Sequence, residues 1–302
     1  MIKAFKTTGI VYPVLHSFKE RFAKRIVVAD PRSTVRHLHL EFLKQSHKRN
    51  TFHGATIVSM QSSELYLSAF QRSLEQINAT RPTLSFKFLT DMVLGWEKSG
   101  APLEKSILGF LEMLKAKRIE QAKETAGLLS DGDVILTHCN ISGLLPLIAQ
   151  IAKEQGKTVS FYATETRPYL QGSRLTAWEL MRAGFEVTII TDNMVAYLLS
   201  LGKVTKIIVG ADHLTLNGDI ANKIGTYQIA VVAKYFKIPF FVICPPPSRL
   251  KTGQEIQIEI RPDDELKIYQ GVRLAPKEVK AYYPAFDVTP ACLITKHIHL
   301  GV

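Results

Sequence analysis

From Val14 to about Leu129 apolar residues recur at the spacing of a buried helix face, as in Ile107, Phe110, Leu111 and Leu114 within a stretch rich in Leu, Lys, Glu and Ala. This half predicts helices. At Asp131-Gly132-Asp133 the pattern changes, and short apolar runs begin to alternate with amphipathic stretches. The runs Val134–Thr137, Val159–Ala163, Val187–Thr191, Lys206–Val209 and Phe240–Cys244 predict strands, separated by helical segments near Leu144–Glu154, Leu175–Ala183, Met194–Leu201 and Ile224–Phe236. Alternation of this kind builds a parallel sheet wrapped by helices, an α/β architecture. The expected organisation is a mainly helical amino-terminal domain over residues 1–130 and an α/β domain over residues 131–302, with the order of strands in the sheet left open.

An open parallel sheet binds ligands outside the carboxyl ends of its strands. Those ends are polar in this chain: Thr137-His138-Cys139-Asn140, Thr164-Glu165-Thr166-Arg167-Pro168, Thr191-Asp192-Asn193 and Gly210-Ala211-Asp212-His213. For Asp192-Asn193 alone a helix cap is the simpler explanation. Cys139, beside His138 and ahead of a glycine-containing turn and a helix, occupies a place where a thiol can serve as nucleophile or acid/base, although an isolated cysteine is more often structural. Asp212 follows another strand in the same way. A thiol and a carboxyl facing one pocket, in environments that separate their proton affinities, make an acid/base pair. After Asp212, the stretch Asn217-Gly218-Asp219 to Tyr227 reads as a turn entering a helix, with Asn222 and Lys223 just before its first turns. Exposed N–H groups and an ammonium there favour an anion. Neither G-x-x-x-x-G-K-[ST] nor G-x-G-x-x-G occurs in this stretch, so a nucleoside triphosphate or dinucleotide is not indicated.

Composition narrows the classes without choosing among them. No apolar run approaches the roughly 18 residues of a membrane span, so no membrane role is expected. The three cysteines, Cys139, Cys244 and Cys292, are widely separated, which supports neither a disulfide framework nor a thiolate zinc site and points to a reducing cytoplasm. His37 and His39, at i and i+2, do not share a helix face, and no metal is expected. The net charge is +11, and residues 1–50 hold eleven Lys and Arg against three acids. A basic patch attracts anions, but without an aromatic pattern or a binding fold it reads as a solvated face, and no nucleic-acid partner is expected.

The stretches Thr137–Asn140, Glu165–Pro168 with Gln171-Gly172-Ser173-Arg174-Leu175-Thr176-Ala177, Gly210-Ala211-Asp212, Asn217 to Tyr227, and Pro284-Ala285-Phe286-Asp287-Val288-Thr289-Pro290 resemble those of the methylthioribose-1-phosphate isomerases. That family also takes in ribose-1,5-bisphosphate isomerases and the regulatory subunits of a translation initiation guanine-nucleotide exchange factor. The resemblance runs through nearly all of residues 130–302 and is weaker before them, where Thr80-Arg81-Pro82-Thr83 and His53-Gly54-Ala55 are similar to isomerase segments. It implies a helical domain on a Rossmann-like, doubly wound domain, as a homodimer. It also implies that Cys139 and Asp212 are the catalytic pair, and that Arg81, Gln171, Asn222 and Lys223, with His53, Gly54 and Ala55, hold a sugar phosphate. His53 and His213 stand where isomerases often have arginine, and a histidine offers phosphate fewer, divergent donors.

The activity implied is conversion of an aldose 1-phosphate to a ketose 1-phosphate, in the first place methylthioribose 1-phosphate in methionine salvage. Phosphate on the anomeric oxygen blocks ordinary ring opening, so an acid must protonate the ring oxygen as its bond to C1 breaks. Asp212 is assigned that role and Cys139 the transfer at C2, as thiolate base or as charge stabiliser for a hydride shift, with no cofactor. The alternatives are a non-catalytic regulatory subunit and an isomerase of another sugar phosphate, such as ribose 1,5-bisphosphate.

Overall fold

The computed structural model describes residues 91–300 apart from 93, 97, 102 and 270, together with an antiparallel pair, β1 (Lys6–Thr7) and β2 (Ile10–Val11). The chain divides into two units, Met1–Leu114 and Lys115–Val302. The second carries the sheet and every described site residue. Most of the helical half expected before Leu129 lies outside the described residues; its last helix, α1 (Leu103–Gly127), is described.

Past α1 the elements follow the expected alternation. They are β3 (Asp133–Thr137), α2 (Leu144–Glu154), β4 (Val159–Thr164), α3 (Ala177–Arg182), β5 (Val187–Ile190), α4 (Val195–Ser200), β6 (Lys206–Gly210), β7 (His213–Leu214), β8 (Ile220–Lys223), α5 (Thr226–Phe236) and β9 (Phe240–Cys244). The carboxyl-terminal stretch adds β10 (Ile260–Arg261), α6 (Asp264–Lys267), β11 (Ile268–Tyr269), β12 (Val272–Arg273), β13 (Tyr283–Pro284), β14 (Phe286–Thr289) and β15 (Lys296–His299). Six strands form one parallel sheet in the order β15-β9-β6-β3-β4-β5.

Both faces of this sheet are covered, which is why its strands are near-continuous apolar runs. The two-residue period of a strand sorts those runs. Ile135, Phe161, Ile208, Phe241, Ile243 and Ile298 join one core with Ala122 and Ala126 of α1, Leu144, Leu145, Ile148 and Ala149 of α2, and Leu180 of α3. Their neighbours Leu136, Ile207, Val209, Phe240, Val242 and Cys244 face the other way, against Val195, Leu198 and Leu199 of α4 and Ile229, Ala230 and Ala233 of α5. The unit is therefore doubly wound, as the resemblance implied.

The strand order places β3 at the turning point: the chain leaves it toward β4 and β5 on one side and returns to β6 on the other. A three-stranded antiparallel sheet, β14-β8-β7, takes two of its strands, β7 and β8, from the stretch directly after β6 and includes both Asn222 and Lys223. Among the described residues no helix is long and apolar enough to cross a membrane.

Candidate active site

Cys139 follows β3 with φ +62°, a left-handed conformation rare for a side chain larger than glycine. Its backbone is fixed from both sides by residues that follow β4. Its N–H donates to Thr166 Oγ1 at 2.9 Å, and its carbonyl accepts from Thr176 Oγ1 at 2.5 Å. Thr166 is itself left-handed, at φ +62°, which is costlier for a β-branched residue. Asp192 holds it there, accepting the Thr166 and Arg167 N–H groups at 2.8 and 2.7 Å. Asp192 is thus not the helix cap that the sequence suggests: both its carboxylate oxygens accept these N–H groups and brace the loop behind Cys139.

Gly172 opens a π-helical turn, Gly172–Thr176, that continues into α3. A Cβ at Gly172 would come within 1.7 Å of the Thr164 carbonyl oxygen, so only glycine fits. This contact seats the neighbouring Gln171, whose Oε1 is buried with no hydrogen-bond partner. Asn140 completes the frame, donating to Thr176 Oγ1 at 3.0 Å and Glu179 Oε2 at 2.9 Å. Burial raises the Glu179 carboxyl above its ordinary range, against the Asn140 amide, which stabilises its charge.

Asp212 follows β6, the strand hydrogen-bonded to β3, and its N–H donates to Ala221 O at 2.9 Å. Lys223 ends β8 and is 4% exposed, with its Nζ 4.5 Å from the Phe286 ring centroid and 5.6 Å from that of Tyr169. Two aromatic faces thereby compensate part of the cost of burying an ammonium. Asn222, also buried, donates to Thr226 Oγ1 at 3.0 Å.

The helix start expected to bind an anion already has one. Asp287, opposite Asn222 in the β14–β8 ladder, accepts the N–H groups of Gly225 at 2.7 Å and Tyr227 at 3.1 Å. Burial nevertheless pushes its pKa up to about 6, against those hydrogen bonds and the nearby Lys223 charge.

His138, 1% exposed, is turned into the core, with Nε2 2.9 Å from the Ile224 carbonyl and Nδ1 2.6 Å from Thr164 Oγ1. A carbonyl only accepts, so Nε2 carries the proton and Nδ1 accepts from the threonine. Burial holds this imidazole below its ordinary pKa although Asp192 lies 3.9 Å away. His213, where isomerases often have arginine, is buried in β7 with Nε2 2.7 Å from Ser248 Oγ.

Tyr169 is anchored by Arg261, whose Nη2 donates to its hydroxyl at 2.8 Å, and by Glu265, which accepts that hydroxyl at 2.5 Å. Arg261 also pairs with Glu265 at 2.6 Å and Glu259 at 2.7 Å.

Of the residues expected to bind substrate, Gln171, Asn222 and Lys223 lie at the carboxyl ends of the strands or in the adjoining small sheet. His53, Gly54, Ala55 and Arg81 lie outside the described residues. Sequence reading missed the supporting parts played by Asp192, Thr166, Tyr169 and Asp287. Asp287, in Pro284–Pro290, and Thr166, in Glu165–Pro168, lay in stretches that carry the resemblance, and Asp192 lay at a polar strand end, whereas Tyr169 carried no signal.

The model of the initiation factor 2 subunit family matches residues 24–299. The methylthioribose-1-phosphate isomerase of Thermosipho melanesiensis is 42% identical over 265 residues, covering 80% of this chain and 75% of that protein. The corresponding enzyme of Thermosipho africanus is 43% identical over 255 residues, 76% of this chain and 72% of its own. Among solved structures, the translation initiation factor eIF-2B subunit delta from A. fulgidus is similar at TM-score 0.66 and 37% identity, covering 78% of this chain and 74% of that one. The 5-methylthioribose 1-phosphate isomerase from Pyrococcus horikoshii is similar at TM-score 0.63 and 33% identity, with 79% and 73% covered.

Proposed function

Because the chain belongs to the initiation factor 2 subunit family, and the two Thermosipho relatives at 42% and 43% identity are methylthioribose-1-phosphate isomerases, we propose that it converts methylthioribose 1-phosphate to methylthioribulose 1-phosphate. The observation that carries this reading is topological. Cys139 and Asp212 follow β3 and β6, the two strands that flank the turning point of the sheet, where doubly wound folds open a ligand crevice.

In this reading Lys223, with Asn222, Gln171 and Arg81, grips the sugar phosphate. Protonated Asp212 gives its proton to the ring oxygen as the C1–O bond breaks, leaving a cation at C1 stabilised by the phosphate-bearing oxygen. In one route Cys139 thiolate takes the proton from C2, the electron pair forms a C1–C2 double bond, and the thiol returns the proton to C1. In the other, hydrogen moves with its electron pair from C2 to C1. Both routes end as the C2 hydroxyl gives its proton to Asp212 carboxylate and becomes the ketone. Each restores thiolate and carboxylic acid, and neither calls on a cofactor.

The protein is incubated separately with methylthioribose 1-phosphate, ribose 1,5-bisphosphate and 5-deoxyribose 1-phosphate, with ketose formation followed by NMR in deuterium oxide. Ketose from the first compound supports the reading. Deuterium at C1 of the product marks the proton route, in which the thiol proton exchanges with solvent before its return. A second reading, a non-catalytic subunit, is favoured by the likeness to the A. fulgidus factor, and binding without turnover of all three compounds would select it.

The same reading includes a cytoplasmic homodimer. Exposed Tyr197 and Leu201 at α4 and Tyr227, Val231 and Tyr235 on α5 supply an apolar face for a second copy, and sedimentation at the 33.8 kDa of one chain would remove it.

A further inference from the structure

Tyr283, in β13, is 2% exposed, and its hydroxyl is buried with no hydrogen-bond partner. Its ring meets that of Tyr169 edge to face, with centroids 6.3 Å apart. The two tyrosines differ in their polar ends. The Tyr169 hydroxyl accepts from Arg261 and donates to Glu265, whereas that of Tyr283 does neither. Cys139 lies within electrostatic reach of the Tyr283 hydroxyl, on which it acts together with Tyr169, Glu265 and Arg261. Lys223 lies over the other member of the aromatic pair, and Gln171, near Cys139 through the Gly172–Thr164 and Thr166 contacts, holds a second buried polar atom without a partner.

A buried hydroxyl that makes no hydrogen bond in the folded chain destabilises it, and such groups are rare, so this one calls for a partner from outside the chain. Cys139, a thiol suited to proton transfer, acts on this hydroxyl, and the same candidate site holds Lys223, a cation suited to phosphate that lies over the Tyr169 ring, and the Gln171 amide oxygen, able only to accept. A ligand that uses all of them carries an anionic group and several hydroxyls on a small frame. Burial also keeps the Tyr283 hydroxyl protonated well past neutral pH, so it is a donor.

We propose that Tyr283 is a substrate-binding residue, donating a hydrogen bond to a ring hydroxyl oxygen of the sugar phosphate beside the carbons on which Cys139 acts. This assignment rests on the isomerase reading and adds to it a residue that the family resemblance did not single out.

Tyr283→Phe in the full chain removes the oxygen and keeps the ring. The expected result is a KM for methylthioribose 1-phosphate raised about tenfold with a much smaller change in kcat, while the unliganded variant melts no lower than the wild type. An unchanged KM would overturn the proposal. So would a lowered melting temperature without ligand, because the hydroxyl would then be bonded within the protein. If the wild type converts ribose 1,5-bisphosphate and ignores methylthioribose 1-phosphate, the substrate assignment falls, and the Tyr283→Phe comparison on the bisphosphate decides the proposal by the same tenfold criterion.

Discussion

At Cys139 and Thr166 two side-chain-bearing residues hold left-handed backbones in contact with each other, joined by one hydrogen bond and braced by the Asp192 carboxylate. Strain of this kind persists only where surrounding contacts overdetermine it, and here they fix the thiol-bearing residue. Replacing Cys139 with Ser or Asp212 with Asn is expected to lower kcat by at least about 100-fold with the fold intact, as acid/base roles usually do. Near wild-type turnover with circular dichroism unchanged would remove the assigned role. Asp287 gives a pH prediction. Its carboxyl is raised to about 6, so the folded chain keeps a proton that the unfolded chain releases near its ordinary value of 3.8. Its contribution to stability is full below that lower value and is lost as pH rises through about 6. Relative to Asp287→Asn, which does not titrate, the wild type should lose on the order of 2 kcal/mol between about pH 4 and pH 8. A constant difference in urea titrations across that range would show that Asp287 titrates normally. The places of Cys139 and Asp212 in the fold were legible because each lies two residues past the end of its strand. The parts played by Asp192 and Tyr283 were not, since what matters about them is a contact with residues that precede them by 25 or more positions, and no local pattern encodes that.

At the scale of elements, burial of both sheet faces made β3, β4, β6 and β9 readable as apolar runs, and the predicted Phe240–Cys244 matches β9 residue for residue. β15 escaped because Lys296, His297 and His299 surround its one inward anchor, Ile298, as an edge strand allows. β8 escaped because four residues ending in Asn and Lys resemble a turn before a helix, and only pairing with β14 and β7 makes them a strand. The single helix read over Leu175–Ala183 is in fact a π-helical turn followed by α3, a change enforced by the approach of Gly172 to Thr164. Another tie was invisible for the same reason. Gln121 of α1 donates through Nε2 to both Cys244 O and Ile298 O at 3.0 Å, stitching the helix across β9 and β15. Gln121→Leu leaves both carbonyls short of a donor and should destabilise the protein by about 1 to 3 kcal/mol, read as a lower urea midpoint at unchanged slope. An unchanged midpoint would mean that the amide adds nothing.

For the whole molecule, the excess of 38 basic over 27 acidic side chains acts at long range on any dianionic sugar phosphate. Raising ionic strength from about 20 to about 300 mM should reduce kcat/KM several-fold, with most of the effect in KM. A flat profile would confine the electrostatics to Lys223 and its immediate neighbours. The class of fold was legible because a chain that alternates strands and helices has few alternatives. The strand order was not, because which strand lies beside β3 depends on crossovers that leave no periodic trace.

That order also sets a schedule. β9 acquires its outer neighbour only when β15 is made, more than fifty residues later in the chain, and the Asp287 carboxylate reaches the start of α5 after a still longer interval. Ribosomes add about 5–20 residues each second, so for several seconds a nascent chain presents an apolar strand edge with nothing paired to it. Holdase chaperones should therefore engage this protein late in its synthesis, and a stall within those residues should favour aggregation over release of a partly active enzyme.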